Sequence, residues 1–360
     1  MKIINVIFVS TYLARNGTEA FMMNVFRNID KSKYHIDFMC FSREDIAYED
    51  EIEQSGSRVF VLPQRKEGFL FFKSLNSFFK EHHYDVLHWC ACSCTTIAPL
   101  FFAYKNHVPI RITHSHNSSC FGWHNKLLHY ALRPFMNIMT TNRLACSEKA
   151  SKWFFGNRES LIIKNGININ AYSFNESTRE RVRREFGISD STKVIGHVGR
   201  FDPVKNHDFI IDIFASFANT NNAKLMLIGI GALEKKIKEK VEGLNLEDKV
   251  LFLRERSDVP DLMQAMDLFL MPSLFEGLPF VLVEAQAAGL PCLVSKNIDM
   301  KVKLTPGITF YSIDESADTW SKEMRNVFAN FKRCSTDEYI KESGFAIEET
   351  VSKLGNIYNK

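Results

Sequence analysis

DLFLMPSLFEGLPFVLVEAQAAGLP, residues 267–291, holds a strand, a loop and a helix in one line. Asp267–Ser273 is almost wholly apolar and predicts a strand, Leu274–Pro279 predicts the loop after it, and Phe280–Ala288 predicts a helix. Pro279 suits the first turn of that helix, Gly289 its C-terminal cap, and Pro291 blocks continuation. An apolar strand feeding a helix is the unit of a parallel sheet buried on both faces.

Outward from this stretch the same alternation fills nearly the whole chain. Upstream, strand-like runs fall at Ile3–Ser10, His35–Phe41, Arg58–Leu62, Asp85–Trp89, Ile110–His114, Arg143–Ser147 and Leu161–Lys164. A second series runs Val194–Val198, Lys224–Ile228, Val250–Leu253, Leu268–Pro272, Cys292–Ser295 and Thr309–Tyr311. Two series predict an α/β chain of two Rossmann-like, doubly wound domains. The break falls near Asn165–Asn175, giving a first domain over 1–172, a second over 173–338 and a terminal stretch over 339–360. Such sheets bind ligands beyond the carboxyl ends of their strands, so the expected site is a central cleft that the two domains face.

Composition excludes several classes. With 45% hydrophobic and 24% charged residues, the 360-residue chain is an ordinary globular protein rather than a disordered one. No apolar stretch approaches the ~20 residues of a membrane span. The short run at Met1–Ser10 has no cleavage pattern after it and reads as a strand, so a cytoplasmic location is expected. The eight cysteines show no paired framework. Cys90, Cys92 and Cys94 alternate without the CxxC pairs and downstream ligands of a zinc site, so reduced thiols and no metal are expected. Residues 1–172 carry 20 Lys and Arg against 14 Asp and Glu; residues 173–360 carry 25 against 28. This basic bias suits an anionic membrane surface or a phosphate-bearing molecule better than nucleic acid, and it also fits an uneven solvated surface.

The chemistry concentrates in the second domain. The helix from Phe280 offers free backbone N–H groups and a positive dipole end, both suited to phosphate. Glu276, in the loop, is placed to accept hydrogen bonds from sugar hydroxyls; Glu284, on the helix, is placed for a ribose. Gly199-Arg200-Phe-Asp-Pro-Val-Lys205-Asn206 follows the first strand of this domain. A guanidinium fork and an ammonium on one turn can neutralise a diphosphate without a divalent ion. Two carboxylates and a basic turn taken singly fit a solvated surface equally well.

Taken together, these strings resemble glycosyltransferase family 4. Glu276 and Glu284, set in Phe-Glu-Gly-Leu-Pro, look like its E-x7-E signature, and Gly199–Asn206 looks like its G-R-x4-K-[GN] element, with Asn206 in place of the commoner Gly. Gly229-Ile-Gly231 resembles its G-x-G segment near the nucleotide. Arg254 follows the strand that usually contacts the base, where relatives often carry Gly. The resemblance implies a GT-B fold, with an acceptor-binding first domain, a nucleotide-sugar-binding second domain, and a last helix over Tyr339–Asn359 crossing back to the first. It implies retaining, metal-independent hexosyl transfer from a nucleoside-diphosphate sugar, expected to be a UDP-sugar. A front-face route would need no enzyme nucleophile. Donor contacts are then expected from Gly17, Gly199, Arg200, Lys205, Gly229, Arg254, Glu276, Gly277, Leu278, Pro279 and Glu284, with Arg200, Lys205, Glu276 and His116 as catalytic groups.

In the first domain, Asn16-Gly17-Thr18-Glu19 resembles the family's Gly-rich loop, where Gly17 would let a phosphate approach the backbone, and it reads equally as a plain strand-to-helix turn. Thr113-His114-Ser115-His116-Asn117 closes the fifth strand, where the family keeps a His facing the donor sugar. His114 and His116 are expected on opposite faces, so that one lines the cleft; His116 is favoured, with His114 and Asn117 as further acceptor contacts. The string looks like enzymes of capsule and exopolysaccharide assembly, which implies a lipid-linked or saccharide acceptor. Arg65–Lys80 interleaves phenylalanines with lysines, which suits a helix on the inner face of the cell membrane and suits a core-packing helix as well. A sugar-nucleotide epimerase of the same fold and a non-catalytic pseudo-transferase are the alternatives. The full Phe-Glu-Gly-Leu-Pro string argues against the first, and the intact charged pairs argue against the second.

Overall fold

Each apolar run read from the sequence forms a strand in the computed structural model, which describes residues 2–43, 46–120, 122–276 and 278–360. Seven strands make the first sheet: β1 Ile4–Val9, β2 Tyr34–Cys40, β3 Val59–Val61, β4 Val86–Ala91, β5 Ile110–Ser115, β6 Asn142–Ala145 and β7 Leu161–Ile162. Their spatial order is β3-β2-β1-β4-β5-β6-β7, parallel throughout. The second sheet holds β8 Lys193–Val198, β9 Ala223–Ile228, β10 Val250–Arg254, β11 Leu268–Met271, β12 Cys292–Ser295 and β13 Ile308–Tyr311. It is parallel in the order β10-β9-β8-β11-β12-β13. Both sheets are therefore doubly wound, with the strand order reversing at β1/β4 and at β8/β11. The central strands are buried along their length, β11 and β12 completely, which is why they read as apolar runs without alternation.

The chain forms two compact units, Met1–Gly166 with Ala346–Lys360, and Ile167–Phe345. It leaves the first unit at Gly166 rather than Tyr172. A Cβ at Gly166 would press on Thr350 and Ile347, so this residue is held by the first unit. The short helix Ile169–Tyr172 instead packs on helices Val259–Ala265 and Phe280–Ala287 of the second unit. The return comes at Ala346 rather than Tyr339, because helix Asp337–Glu342 still packs on helix Phe280–Ala287.

Helix Ile347–Tyr358 belongs to the first unit, where Ile347, Leu354, Ile357 and Tyr358 join a core with Val6, Phe8, Ile36 and Phe38. The other face of that sheet is covered by Phe71, Leu75, Phe78, Leu100 and Met136. The phenylalanine-rich helix Phe69–Glu81 thus buries one stripe, Phe71, Leu75, Phe78 and Phe79, and leaves Phe69, Leu70 and Phe72 exposed. Among the described residues no helix is long and apolar enough to cross a membrane.

Candidate functional site

In the second unit the loops after β8 and β11 flank the point where the strand order reverses. Lys205, at the end of the first loop, and Glu276, in the second, form an ion pair at 2.5 Å, both largely buried. The backbone sets this up locally. Asp202 caps the short turn Pro203–Lys205 by accepting from the Lys205 amide at 3.2 Å. Asn206 then takes a left-handed conformation, φ 58°, and its Nδ2 donates to the Pro272 carbonyl at the end of β11 at 3.1 Å. Asn is the non-glycine residue that tolerates this conformation best, so Asn206 preserves the turn a glycine would make. The Glu276 loop is fastened on its far side by Asn297 Nδ2 donating to the Leu274 carbonyl and by a bridge from Glu276 to Ile298.

Arg200 is exposed on the same loop as Lys205, and its side chain has no hydrogen bond or ion pair among the described residues. Two further loops are fastened to this one. The Gly199 amide donates to Ile228, the Phe201 amide to Ile230, and the Gly229 amide to Arg254, all within 2.9 Å. Gly229 has φ +143°, and a Cβ there would overlap the Gly199 carbonyl oxygen; a Cβ at Gly231 would lie 2.5 Å from the Phe201 carbonyl oxygen. Both glycines are therefore required by close backbone approach. Leu278 and Pro279 lead into helix Phe280–Ala287, and Gly289 ends it at φ +67°. Gly277 lies outside the described residues.

Glu284, one turn along that helix, accepts a 2.6 Å hydrogen bond from the Tyr172 hydroxyl. Burial pushes its carboxyl up to about 7, against which the Tyr172 bond acts. Arg254 has φ 51° at a register shift in β10, and its exposed side chain has no partner among the described residues. A glycine is what this backbone favours.

Within the first unit, His114 and His116 do not take opposite faces. Residues two apart along a strand share a face, and the two rings sit 4.2 Å apart. His88 joins them, its Nε2 3.1 Å from His114 Nδ1 and its Nδ1 2.7 Å from the Tyr358 hydroxyl. Burial holds His88 and His114 well below the usual range and His116 at about 3, so all three are neutral at pH 7. His114 Nε2 and both ring nitrogens of His116 are buried without a hydrogen bond among the described residues. His116 also packs on Phe21 at 4.9 Å. Asn117 is exposed, its carbonyl accepting from the Ser115 hydroxyl. Gly17 opens helix Gly17–Asn28 with nothing within 4 Å of where a Cβ would sit, so the chain itself does not require glycine there.

Several groups at these sites escaped the reading of the sequence. Glu19, in the first turn after β1, is buried, and that burial raises its carboxyl to about 7. His88, Cys90 and His114 offer ligand atoms within 4.8 Å of one another, on adjacent strands β4 and β5 whose pairing no local spacing reveals. The His88 ring nitrogens are already taken by Tyr358 and His114, so the group is a hydrogen-bonded stack. Under the Gly199–Lys205 loop lie His197 and His207, rings 4.8 Å apart and both kept neutral by burial, His207 at about 4. His197 Nε2, both His207 nitrogens and the Ser273 hydroxyl are buried with no hydrogen bond among the described residues. His197 and His207 flank the quoted motif by two residues and one, which was the available signal.

The chain is similar to known proteins in sequence and in fold. Residues 178–343 match the family model described as "Glycosyl transferases group 1". The chain is 33% identical to EpsF of Bacillus subtilis, assigned as a glycosyltransferase, over 98% of this chain and 96% of that one. It is 26% identical to the UDP-Gal:alpha-D-GlcNAc-diphosphoundecaprenol alpha-1,3-galactosyltransferase of Escherichia coli, over 78% and 76% of the two chains. Its fold matches that of Anabaena HepE, solved in complex with UDP-glucose, with a TM-score of 0.78 at 19% identity over 99% of each chain. The architecture is thus the GT-B one, two parallel-sheet α/β units. Extended identity to EpsF, with the matched family model, establishes that the chain belongs to the group 1 glycosyltransferase family.

Proposed function

We propose that the protein is a retaining, metal-independent glycosyltransferase of family 4 that moves a hexose from a UDP-sugar to a lipid-linked saccharide in cell-surface glycan synthesis, at the inner face of the membrane. The observation that carries this reading is the Lys205–Glu276 pair across the β8/β11 reversal. Before the donor arrives, cation and carboxylate neutralise each other. When a diphosphate enters, Lys205 exchanges Glu276 for phosphate oxygens, and the freed carboxylate accepts from sugar hydroxyls. Arg200, unpaired and exposed, closes on the same diphosphate. As the anomeric bond breaks, negative charge grows on the departing UDP; two fixed cations stabilise that charge as a divalent ion would. The acceptor hydroxyl then bonds to the anomeric carbon on the face UDP leaves, and its proton passes to the departing phosphate. Neutral His116 serves as a hydrogen-bonding contact to sugar, since burial keeps the ring uncharged at pH 7.

Support for the donor and acceptor classes comes from the names of similar proteins: UDP-glucose is bound in HepE, and a diphosphoundecaprenol-linked sugar is the acceptor of the Escherichia coli relative. The lipid-linked acceptor in the Escherichia coli relative's name and the basic first unit support the glycan and membrane assignments. A thermal-shift screen of UDP-sugars identifies the donor, since a ligand of the folded state raises the melting temperature. With that donor, Arg200→Ala and Lys205→Ala should each lower turnover at least ~10-fold with folding intact. Turnover near the parent value in both variants would remove the diphosphate clamp from the mechanism. Added EDTA should leave the rate unchanged, whereas strict dependence on Mg²⁺ or Mn²⁺ would end the metal-independent reading.

A further inference from the structure

A buried imidazole lies beneath the Gly199–Lys205 loop with its proton in a fixed place. His197, in β8, is fully buried, and its Nδ1 is 2.8 Å from the Leu270 carbonyl oxygen of the neighbouring strand β11. A carbonyl oxygen only accepts, so Nδ1 carries the proton. Burial holds the ring well below its usual pKa, and the nearby His207 and Lys205 act in the same direction. The ring is therefore neutral, and Nε2 bears a lone pair. That lone pair has no hydrogen bond among the described residues. A buried acceptor without a donor calls for a physical reason.

Its position supplies one. A Cβ on Gly199 would lie 2.9 Å from His197 Nε2 and 3.2 Å from both Cδ and Cε of Lys205. Glycine at this place lets the imidazole and the lysine stem approach each other, and any side chain would crowd both. The His197 ring is also held. It stacks toward Phe269 at 18°, and it meets His207 edge-on at 4.8 Å. His207 in turn stacks on Phe201 at 4.1 Å. The Lys205 ammonium has three N–H groups and, among the described residues, one hydrogen bond, to Glu276. A fixed acceptor thus stands beside a cation that has donors to spare.

We propose that His197 is a positioning residue for the transfer, its Nε2 lone pair taking one N–H of Lys205 as that cation turns from Glu276 to the diphosphate. The proposal deepens the diphosphate clamp described above and rests on it. Before the donor arrives, Glu276 holds Lys205 in place. Once phosphate oxygens displace that carboxylate, the imidazole keeps the ammonium aimed while charge grows on the departing UDP. A neutral ring suits this task, because it accepts an N–H without competing for the cation as a second carboxylate would. A cation already fixed needs no reordering at the moment of reaction. The effect therefore falls on turnover more than on donor binding.

Three substitutions separate the lone pair from the packing. Asn keeps a donor near Nδ1 for Leu270 and offers nothing at Nε2; Gln reaches the Nε2 position with an oxygen acceptor; Phe keeps a ring and loses both groups. Turnover is read as UDP released from the UDP-sugar that most stabilises the parent. His197→Asn and His197→Phe should each lower kcat at least ~10-fold with the donor KM within ~3-fold of the parent, and His197→Gln should recover most of that loss. On a Lys205→Ala background, His197→Asn should change kcat by less than ~2-fold, because groups that act as one unit do not add. A measurement on the unsubstituted ring covers the case in which the Asn and Phe variants fail to fold. In ¹⁵N spectra of histidine-labelled protein, the His197 Nε2 signal should move upfield when UDP is added, and should stay in place in Lys205→Ala. Parent-like kcat in His197→Asn and His197→Phe overturns the proposal. So does a Gln variant as slow as Asn, an additive loss on the Lys205→Ala background, or an Nε2 signal that UDP leaves unmoved in the parent. A slow Lys205→Ala beside a fast His197→Asn sinks this inference alone; a Lys205→Ala variant at the parent rate sinks the clamp reading itself.

Discussion

A single carboxyl shows how burial couples the candidate site to pH. Glu284 keeps a proton up to about pH 7 in the folded chain, against 4.5 as its ordinary value. Between those values the folded state binds more protons than the unfolded one, so stability falls as pH rises through that window and levels off above it. Glu284→Gln removes the titrating group, and the second unit should lose most of that fall. Calorimetry at pH 5, 6, 7 and 8 checks this; an identical slope in parent and variant would mean that the Glu284 carboxyl does not titrate there. Much at this scale was readable beforehand. The motif named Arg200, Lys205, Glu276 and Glu284, because residue type and position after a strand restrict what a loop can do. The partners were hidden. Lys205 meets Glu276 across 71 residues, and Tyr172 meets Glu284 across 112, distances over which spacing carries no contact information. The histidines failed for another reason: two residues along a strand is a full repeat, so His114 and His116 share a face.

At the scale of elements, β10 ends in a conformation its last side chain resists. Arg254 at φ 51° lies in the left-handed region, which costs a non-glycine residue about 1–2 kcal/mol. Its carbonyl still receives the Gly229 amide at 2.8 Å, so the loop alignment depends on the backbone and not on the arginine. Arg254→Gly should therefore raise the melting temperature of the second unit by a few degrees. A drop would mean that the guanidinium has a structural partner. Strands were the most legible elements, because burial on both faces removes polar residues from them. Helix faces were less so. The Phe/Lys run at 65–80 drew attention as a membrane element, yet its strongest apolar stripe serves the core. The more exposed helix Trp123–Met139 went unremarked, since its apolar residues are spaced among His, Asn and Arg.

Across the whole molecule, the first unit is discontinuous in sequence. Leu354 is fully buried in its core, 188 residues beyond the point at which the chain leaves it. Leu354→Ala should cost about 2–5 kcal/mol, as large-to-small core changes do. The loss should appear in the first unit's transition and not in the second's. Calorimetry that shows both transitions moving together would contradict the assignment of helix Ile347–Tyr358 to the first unit. The boundary near residue 170 was legible from its polar, glycine-bearing composition, but its exact place depends on what Gly166 and Tyr172 touch. The discontinuity also orders events during synthesis. Residues 167–345 emerge from the ribosome before 346–360, so the second unit can close while the first still lacks its last helix. Until then the nascent first unit holds open the face that receives Ile347, Leu354, Ile357 and Tyr358, and the unit made first is the one finished last.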